Sequence, residues 1–263
     1  MHLKRIQSHV LGLLFLVSLS ACSGGGDTLA PSATAPAASP AEGLWTGTTI
    51  TNNTNRTVTG VVLDDGVYWF LYSAAGDPSF IAGVVQGDSS SQNGVLTSSN
   101  TTDFSVERGI TPTLNATVDG TYTTKQSLDG TIVYQNNAPP QDKFTTTYDS
   151  DYESAPDINA AAGTYTGPVA AGENVSVIVS TTGNITGHSI TDLSPAGCTF
   201  NGLFKPRAHG NVFDVTITFN GQSGCSNGSA TVTGVAFFHA GKLYSAALNS
   251  GKTNGVVFIG TKS

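Results

Sequence analysis

The sequence predicts an all-β protein built from two small antiparallel β domains, each of some seven or eight strands, barrel-like in preference to sandwich-like, with a short helical turn between them. Three observations carry this reading. From Gly43 onward, short runs rich in Val, Ile, Thr, Phe and Tyr alternate with turns containing Gly, Asp and Asn, which is the pattern of strands and hairpins. One helix-like stretch, Pro156 to Gly163, falls between two such series. Finally, Gly43-Leu44-Trp45-Thr46-Gly47 is echoed 120 residues later by Gly163-Thr164-Tyr165-Thr166-Gly167, as if each series opened alike. A second echo, Thr57-Val58-Thr59-Gly60-Val61 in Thr231-Val232-Thr233-Gly234-Val235, lies at a different offset. An internal repeat and shared hairpin grammar therefore both remain open.

The first element in the chain is outside that body. Lys4 and Arg5 precede an apolar run from Val10 to Ala21. At about 12 residues the run is short of the roughly 20 that cross a bilayer as a helix. A basic start, an apolar run and small residues at a cut are the layout of a secretory signal, expected here over residues 1–21. Leu19-Ser20-Ala21-Cys22 resembles the lipobox of bacterial lipoproteins. The resemblance implies cleavage before Cys22 and lipidation of Cys22. With Ser23 rather than Asp next, it also implies export to the outer membrane, on its periplasmic or its outer face. An ordinary signal peptide with a Cys at the cut is the alternative. Two or three acyl chains anchor firmly, at about 0.8 kcal/mol per buried CH₂, where one chain does not. Cleavage would leave 242 of the 263 residues and, by removing Lys4 and Arg5, take the formal charge from −7 to −9.

Residues 22–42, the lipidated Cys and the segment after it, read as a disordered tether. Ser-Gly-Gly-Gly-Asp leads into Ala, Ser and Thr broken by Pro31, Pro36 and Pro40, a composition with no means of forming a core. Twenty such residues reach about 25 Å as a flexible coil and about 60 Å as polyproline.

The N-terminal domain is expected over 43–155. Thr57 to Leu63 and Val67 to Tyr72, joined by Asp64-Asp65-Gly66, are a hairpin. Ser79 to Gln86 is the next strand, ended by a polar loop from Gly87 to Asn93. Leu114 to Val118, Thr131 to Tyr134 and Phe144 to Tyr148 come next, with a second polar loop from Asn136 to Asp142. Residues 156–162 form the junction: Asp157 is placed to cap a helical turn through the alanines, and Gly163 to end it.

The C-terminal domain, 163–263, opens with a hairpin of Val175–Val179 and Ile185–Ile190 about Thr182-Gly183-Asn184. Phe213 to Phe219 has the cleanest alternation in the chain: Phe213, Val215, Ile217 and Phe219 share one face, Asp214, Thr216 and Thr218 the other. Thr231–Phe238, Lys242–Leu248 and Val256–Gly260 complete the set. Gly60, Gly202 and Gly234 inside strands mark bulges or sharp bends, which favour closed sheets. Bulky Phe, Val and Ile on the inward faces predict filled barrels. Cys198 and Cys225 remain once Cys22 carries lipid, an even pair in an exported chain, and they predict a disulfide. Closing a loop of that length stabilises by about 3–4 kcal/mol.

Charged residues make up 11% of the chain and the balance is acidic, which argues against a nucleic-acid partner. Gly43-Leu44-Trp45 resembles the Gly-x-Trp opening of lipocalins, a barrel family with bacterial outer-membrane lipoproteins among its members. Thr102-Asp103-Phe104 resembles that family's Thr-Asp-Tyr. The resemblance spans six residues, and the Arg that packs over the family's Trp has no match, since Arg108 comes too early. The alternative is that Trp45 plugs the end of a sheet.

Ser250-Gly251-Lys252-Thr253 imitates the end of a phosphate loop, but a strand comes next where helix amides are needed. His188, His209 and His239 could share a metal, and Asp149, Asp151, Glu153 and Asp157 could hold calcium. Solvated side chains explain both sets, so no metal and no cofactor are expected. No nucleophile stands beside a base, so no catalytic residue is assigned. The expected function is a non-catalytic surface interaction module, monomeric, meeting an unidentified protein or glycan and touching the membrane through its lipid. A barrel carrier of a small apolar ligand is the alternative, and a hydrolase of envelope polymers the third.

Overall fold

The computed structural model describes residues 40–51, 54–109, 112–135, 141–169, 173–190 and 197–263. The signal stretch, Cys22, most of the tether and residues 136–140 of the second polar loop lie outside them. The chain is all-β, with two closed antiparallel barrels of eight strands each.

In the first barrel, β1 (Gly43–Thr51), β2 (Thr54–Val62), β3 (Val67–Ala74) and β4 (Asp77–Asp88) run as a meander. β6 (Val95–Ser105), β7 (Thr113–Thr123), β8 (Ser127–Tyr134) and β9 (Gln141–Asp149) continue it. The ring closes through the pairing of β9 with β1. β4 meets β6 directly, so the three-residue β5 (Ser90–Gln92) pairs along the far part of β6 as an appendage. The expected polar loop from Gly87 to Asn93 is thus mostly strand. β6, built largely of Ser, Thr and Asn, carries no apolar period and is missed by sequence reasoning.

A 3₁₀ turn (Ser150–Glu153) and the one-turn helix α1 (Ile158–Ala161) lead to the second barrel. Asp157 caps that turn by accepting the Asn159 N–H. The second ring runs β10 (Gly163–Pro168), β11 (Asn174–Val179), β12 (Asn184–Ser189), β13 (Thr199–Pro206) and β14 (Val212–Phe219). β15 (Thr231–His239), β16 (Lys242–Leu248) and β17 (Gly255–Lys262) complete it, and β17 pairs back on β10. The disulfide Cys198–Cys225 ties the entry of β13 to the loop after β14.

Gly60 and Gly234 mark no bulge, for each sits in continuous register. Their role is close approach: a Cβ on Gly234 would collide with the carbonyl of Ala246, and one on Gly60 with Trp69 and Phe70. Removing the side chain lets coiled strands bend sharply around a small barrel. The bulges lie elsewhere, at Tyr72–Ala74 and between Ser98 and Thr101.

Three apolar clusters result. One fills the second barrel, with Phe213, Val215, Ile217 and Phe219 of β14 facing Val175, Ile185, Phe204, Val232 and Phe258. One lines the first barrel around Trp45, Tyr68, Leu96, Leu128 and Phe144. The third lies between the barrels. Leu44, Val61, Leu63, Trp69, Leu71, Ile81, Val84 and Phe104 of the first barrel's outer face meet Val212, Val235, Phe237, Ala246, Leu248, Val257 and Ile259 of the second's. Charge flanks this seam: Arg207, after β13, pairs with Asp64 and Asp65 of the β2–β3 turn and with Asp214. Residues 36–263 accordingly form one compact unit.

Candidate functional site

The two lumens differ. The second is nearly filled, with about 100 Å³ of space. The first holds a cavity of about 460 Å³, within the range of small-molecule sites. The expectation of filled barrels is therefore corrected for the first barrel. The inward positions of β6 and β7 carry Leu96, Ser98, Ala116, Val118 and Gly120 where β14 carries two Phe, a Val and an Ile.

Alternation along each strand sends every second side chain into the lumen. Val58, Phe70, Val85, Leu96, Val118, Leu128, Ile132 and Phe144 give it an apolar wall, as the cavity's lining shows. Trp45 lies fully buried near the start of β1, its Nε1–H donating to the Ala41 carbonyl at 3.1 Å and its ring edge-on to Tyr148. Trp45 and Ala41 therefore close that end. Ala41 belongs to the core, and Glu42 accepts the Tyr152 hydroxyl, so the folded body includes the last residues of the expected tether.

The opposite end is polar. There Arg56 (start of β2), Asp103 (late β6), Glu107 and Arg108 (the 3₁₀ turn after β6), Tyr134 (end of β8) and Asp142 (start of β9) converge. Asp103 is almost fully buried and accepts from the Tyr72 hydroxyl at 2.8 Å and from Arg108 at 2.9 Å. The Tyr134 hydroxyl lies 2.8 Å from Asp142 Oδ2 and 3.1 Å from Asp103 Oδ2. One hydroxyl proton thus serves two carboxylates. Arg108 also donates to the Asp103 and Pro112 carbonyls, and Arg56 to Glu107 and the Ser73 carbonyl. Deeper in, the Tyr68 hydroxyl meets Ser98 and Thr101 at the β6 bulge.

These surroundings move the titrations outward. Burial raises Tyr68, Tyr72 and Tyr134, and the charge of Asp103 raises the latter two further. Burial would lower Arg108, but its hydrogen bond and ion pair with Asp103 outweigh that and raise it. At neutral pH the phenols hold their protons and the guanidinium its charge.

The other sequence candidates separate. His188 is on the outer face of β12, His209 stands 3.7 Å from Glu42, and His239 ends β15, so the three histidines do not share a site. Among the four acids, Glu153 pairs with Lys125 and Asp157 caps α1. Asp149 and Asp151 turn toward His239, bringing three candidate metal ligands within 4.8 Å. Asp149 Oδ2 is 2.7 Å from His239 Nδ1, and Asp151 also accepts the Ala240 N–H, so the group has a structural task between the barrels. Lys252 and Thr253 lie in the β16–β17 turn, as expected of a chance motif. Asp103 of the lipocalin-like triad reaches the lumen, while Arg108 binds Asp103 and Pro112 rather than covering Trp45. Sequence reasoning missed Tyr72, Tyr134 and Asp142, whose meeting depends on pairings between strands far apart in the chain. Cys22 lies outside the described residues.

No protein-family model matches the chain, and no curated protein matches it. Among solved structures it is similar to the isotype 1 transferrin binding protein B from serogroup B Neisseria meningitidis, with 11% identity and a TM-score of 0.33. The match covers 80% of this chain, which spans 63% of that one.

Proposed function

We propose that this chain is a non-catalytic binding protein of a bacterial cell envelope, held at the outer membrane by lipid on Cys22 and presenting its fused barrels as an interaction module to a protein or glycan. One observation carries binding over catalysis. The polar groups around the larger lumen are bonded to one another, Tyr72 and Arg108 to Asp103, Tyr134 to Asp103 and Asp142, and Arg56 to Glu107, an arrangement that supports a fixed binding wall. The second barrel, being filled, has its recognition surface outside. Its β11–β13 wall offers Thr, Ser and Asn around exposed Ile178 and Leu203, an apolar spot with a polar rim.

A second reading is favoured by a specific observation. The 460 Å³ lumen gives the first barrel room to carry a small ligand. Interaction outside and a ligand inside are compatible in one molecule. The test is fractionation and native mass spectrometry of the protein taken from its own envelope. Cys22→Ser should abolish lipid labelling and release the protein from the membrane fraction. The native spectrum should show a non-covalent companion mass. Labelling that survives the substitution would remove the anchor, and turnover of an envelope polymer by the purified protein would remove the non-catalytic reading.

A further inference from the structure

We propose that the lumen of the first barrel binds a neutral, ring-bearing apolar molecule, held by the shape and surface of the walls and not by an ion pair. The inference rests on the reading of that lumen as a receptacle and adds the chemical class.

The walls set the body of the ligand. Val58, Val85, Leu96, Val118, Leu128 and Ile132 line the cavity, all of them buried. The rings of Tyr68, Phe70, Tyr72, Tyr134 and Phe144 share the lining. Phe70 stands between Tyr68 and Phe144, at 6.0 and 6.2 Å between ring centroids. Aromatic walls of this kind meet a flat ring edge-on or offset. Trp45 and Ala41 close one end, so a long chain has no way through. A rigid ring also gives up little conformational freedom on entering, where a flexible chain gives up much.

The polar groups set the charge. Among the described residues that line the lumen, every polar side chain already has a partner in the protein. Tyr68 bonds Ser98 and Thr101, and Tyr72 bonds Asp103. Thr49 donates to the Lys143 carbonyl and Ser105 to that of Ala82. Arg108 holds Asp103 and the Pro112 carbonyl. Arg56 holds the exposed Glu107 and the Ser73 carbonyl, and its guanidinium lies 5.6 Å from the centre of the Tyr72 ring. Asp142 accepts the Tyr134 hydroxyl and is engaged further.

An ion of either sign therefore meets no waiting counter-charge. An anion would have to draw Arg108 off the buried Asp103, and a cation would have to draw a carboxylate off its guanidinium or its phenol. Either exchange breaks one pair to make another and adds the cost of taking the incoming charge out of water. A sugar or a peptide would bury its own donors and acceptors against Val, Leu and Ile without partners. A neutral hydrocarbon ring covers the apolar wall and asks nothing of the polar one.

The test is calorimetry on the full-length lipidated protein in phosphatidylcholine nanodiscs, with empty discs subtracted. The probes are 1-naphthylmethanol, its charged relatives 1-naphthoate and 1-naphthylmethylamine, and the chain alcohol 1-decanol. 1-Naphthylmethanol should bind about tenfold or more tighter than either charged relative, and tighter than decanol. A smaller gap to either ion, or an ion that binds tighter, overturns the neutral class and leaves the receptacle standing. Decanol binding as tightly or more tightly overturns the ring in the same limited way. Val118→Phe, which fills the lumen, should abolish binding of 1-naphthylmethanol. If that variant does not fold, Val58→Phe on β2, across the ring from β7, carries the same test. Failure of all the probes to bind, or binding that survives the filling substitution, overturns the receptacle and the ligand class together.

Discussion

Phe237→Ala tests the seam between the barrels. Phe237 is 1% exposed and faces away from its own barrel's lumen, into the shared cluster, where its ring stacks on Tyr244 at 5.6 Å. Truncation removes the ring and leaves a cavity bounded by two rigid sheets with little freedom to collapse. Phe→Ala at such sites costs about 3–5 kcal/mol, a large part of the roughly 5–15 kcal/mol that holds a domain folded. At about 2–4 °C per kcal/mol for a chain of 150–250 residues, the melting temperature should fall by about 6–20 °C. The assay is urea and thermal unfolding followed by near-ultraviolet circular dichroism, with Thr216→Ala on the outer face of β14 as the control, expected within about 0.5 kcal/mol of the parent. The variant should also melt less cooperatively, because the lost packing couples the two barrels. A loss below about 1 kcal/mol with unchanged cooperativity would refute the claim that the seam is a core.

Further substitutions probe other parts of the same body. Ile217→Ala, inside the second barrel, should cost about 2–5 kcal/mol by equilibrium unfolding; a cost near zero would mean that β14 does not face the core. Cys198→Ser with Cys225→Ser should cost about 3–4 kcal/mol by the loop-entropy estimate, and an unchanged urea midpoint would contradict the bond's structural role. Asp64 links the barrels through Arg207. Burial raises its pKa, but the Arg207 hydrogen bond and charge outweigh that and hold it below the ordinary 3.8. A depressed carboxylate contributes stability above its unfolded pKa, which disappears as pH falls through the folded one. The destabilisation caused by Asp64→Asn should therefore be present at pH 6 and shrink as pH falls below the ordinary 3.8; a destabilisation that stays constant on acidification would show the carboxylate's charge is not what acts.

Much of the fold is legible in the sequence, and the exceptions have physical causes. Phe213 to Phe219 reads correctly because one of its faces is buried and the other wet. The Asp64-Asp65-Gly66 turn, with Gly66 at φ +85°, is where the hairpin signal puts it. The seam is also written there, in a form that period-2 reasoning overlooks. Val67 to Tyr72 and Val256 to Ile259 are continuous apolar runs, the mark of strands covered on both sides, and Trp69, Leu71, Val257 and Ile259 supply the second, inter-barrel face. β6 escapes because Ser, Thr and Asn dominate it, and pairing on both sides rather than propensity makes it a strand; of β13 only the position of Gly202 is read as strand. The polar end of the lumen is least legible. Tyr134 and Asp142 carry no local motif, and register alone brings them to Asp103.

Methyl NMR of the full-length protein, titrated with the small apolar probe 1-naphthylmethanol, separates the two lumens. If the first barrel is a receptacle and the second a filled scaffold, the methyl signals of Val58, Val85, Val118 and Ile132 should move together and saturate, while those of Val179, Val215 and Ile217 in the second lumen stay in place. Shifts in the second set, or none in the first at saturating probe, would contradict that division of labour.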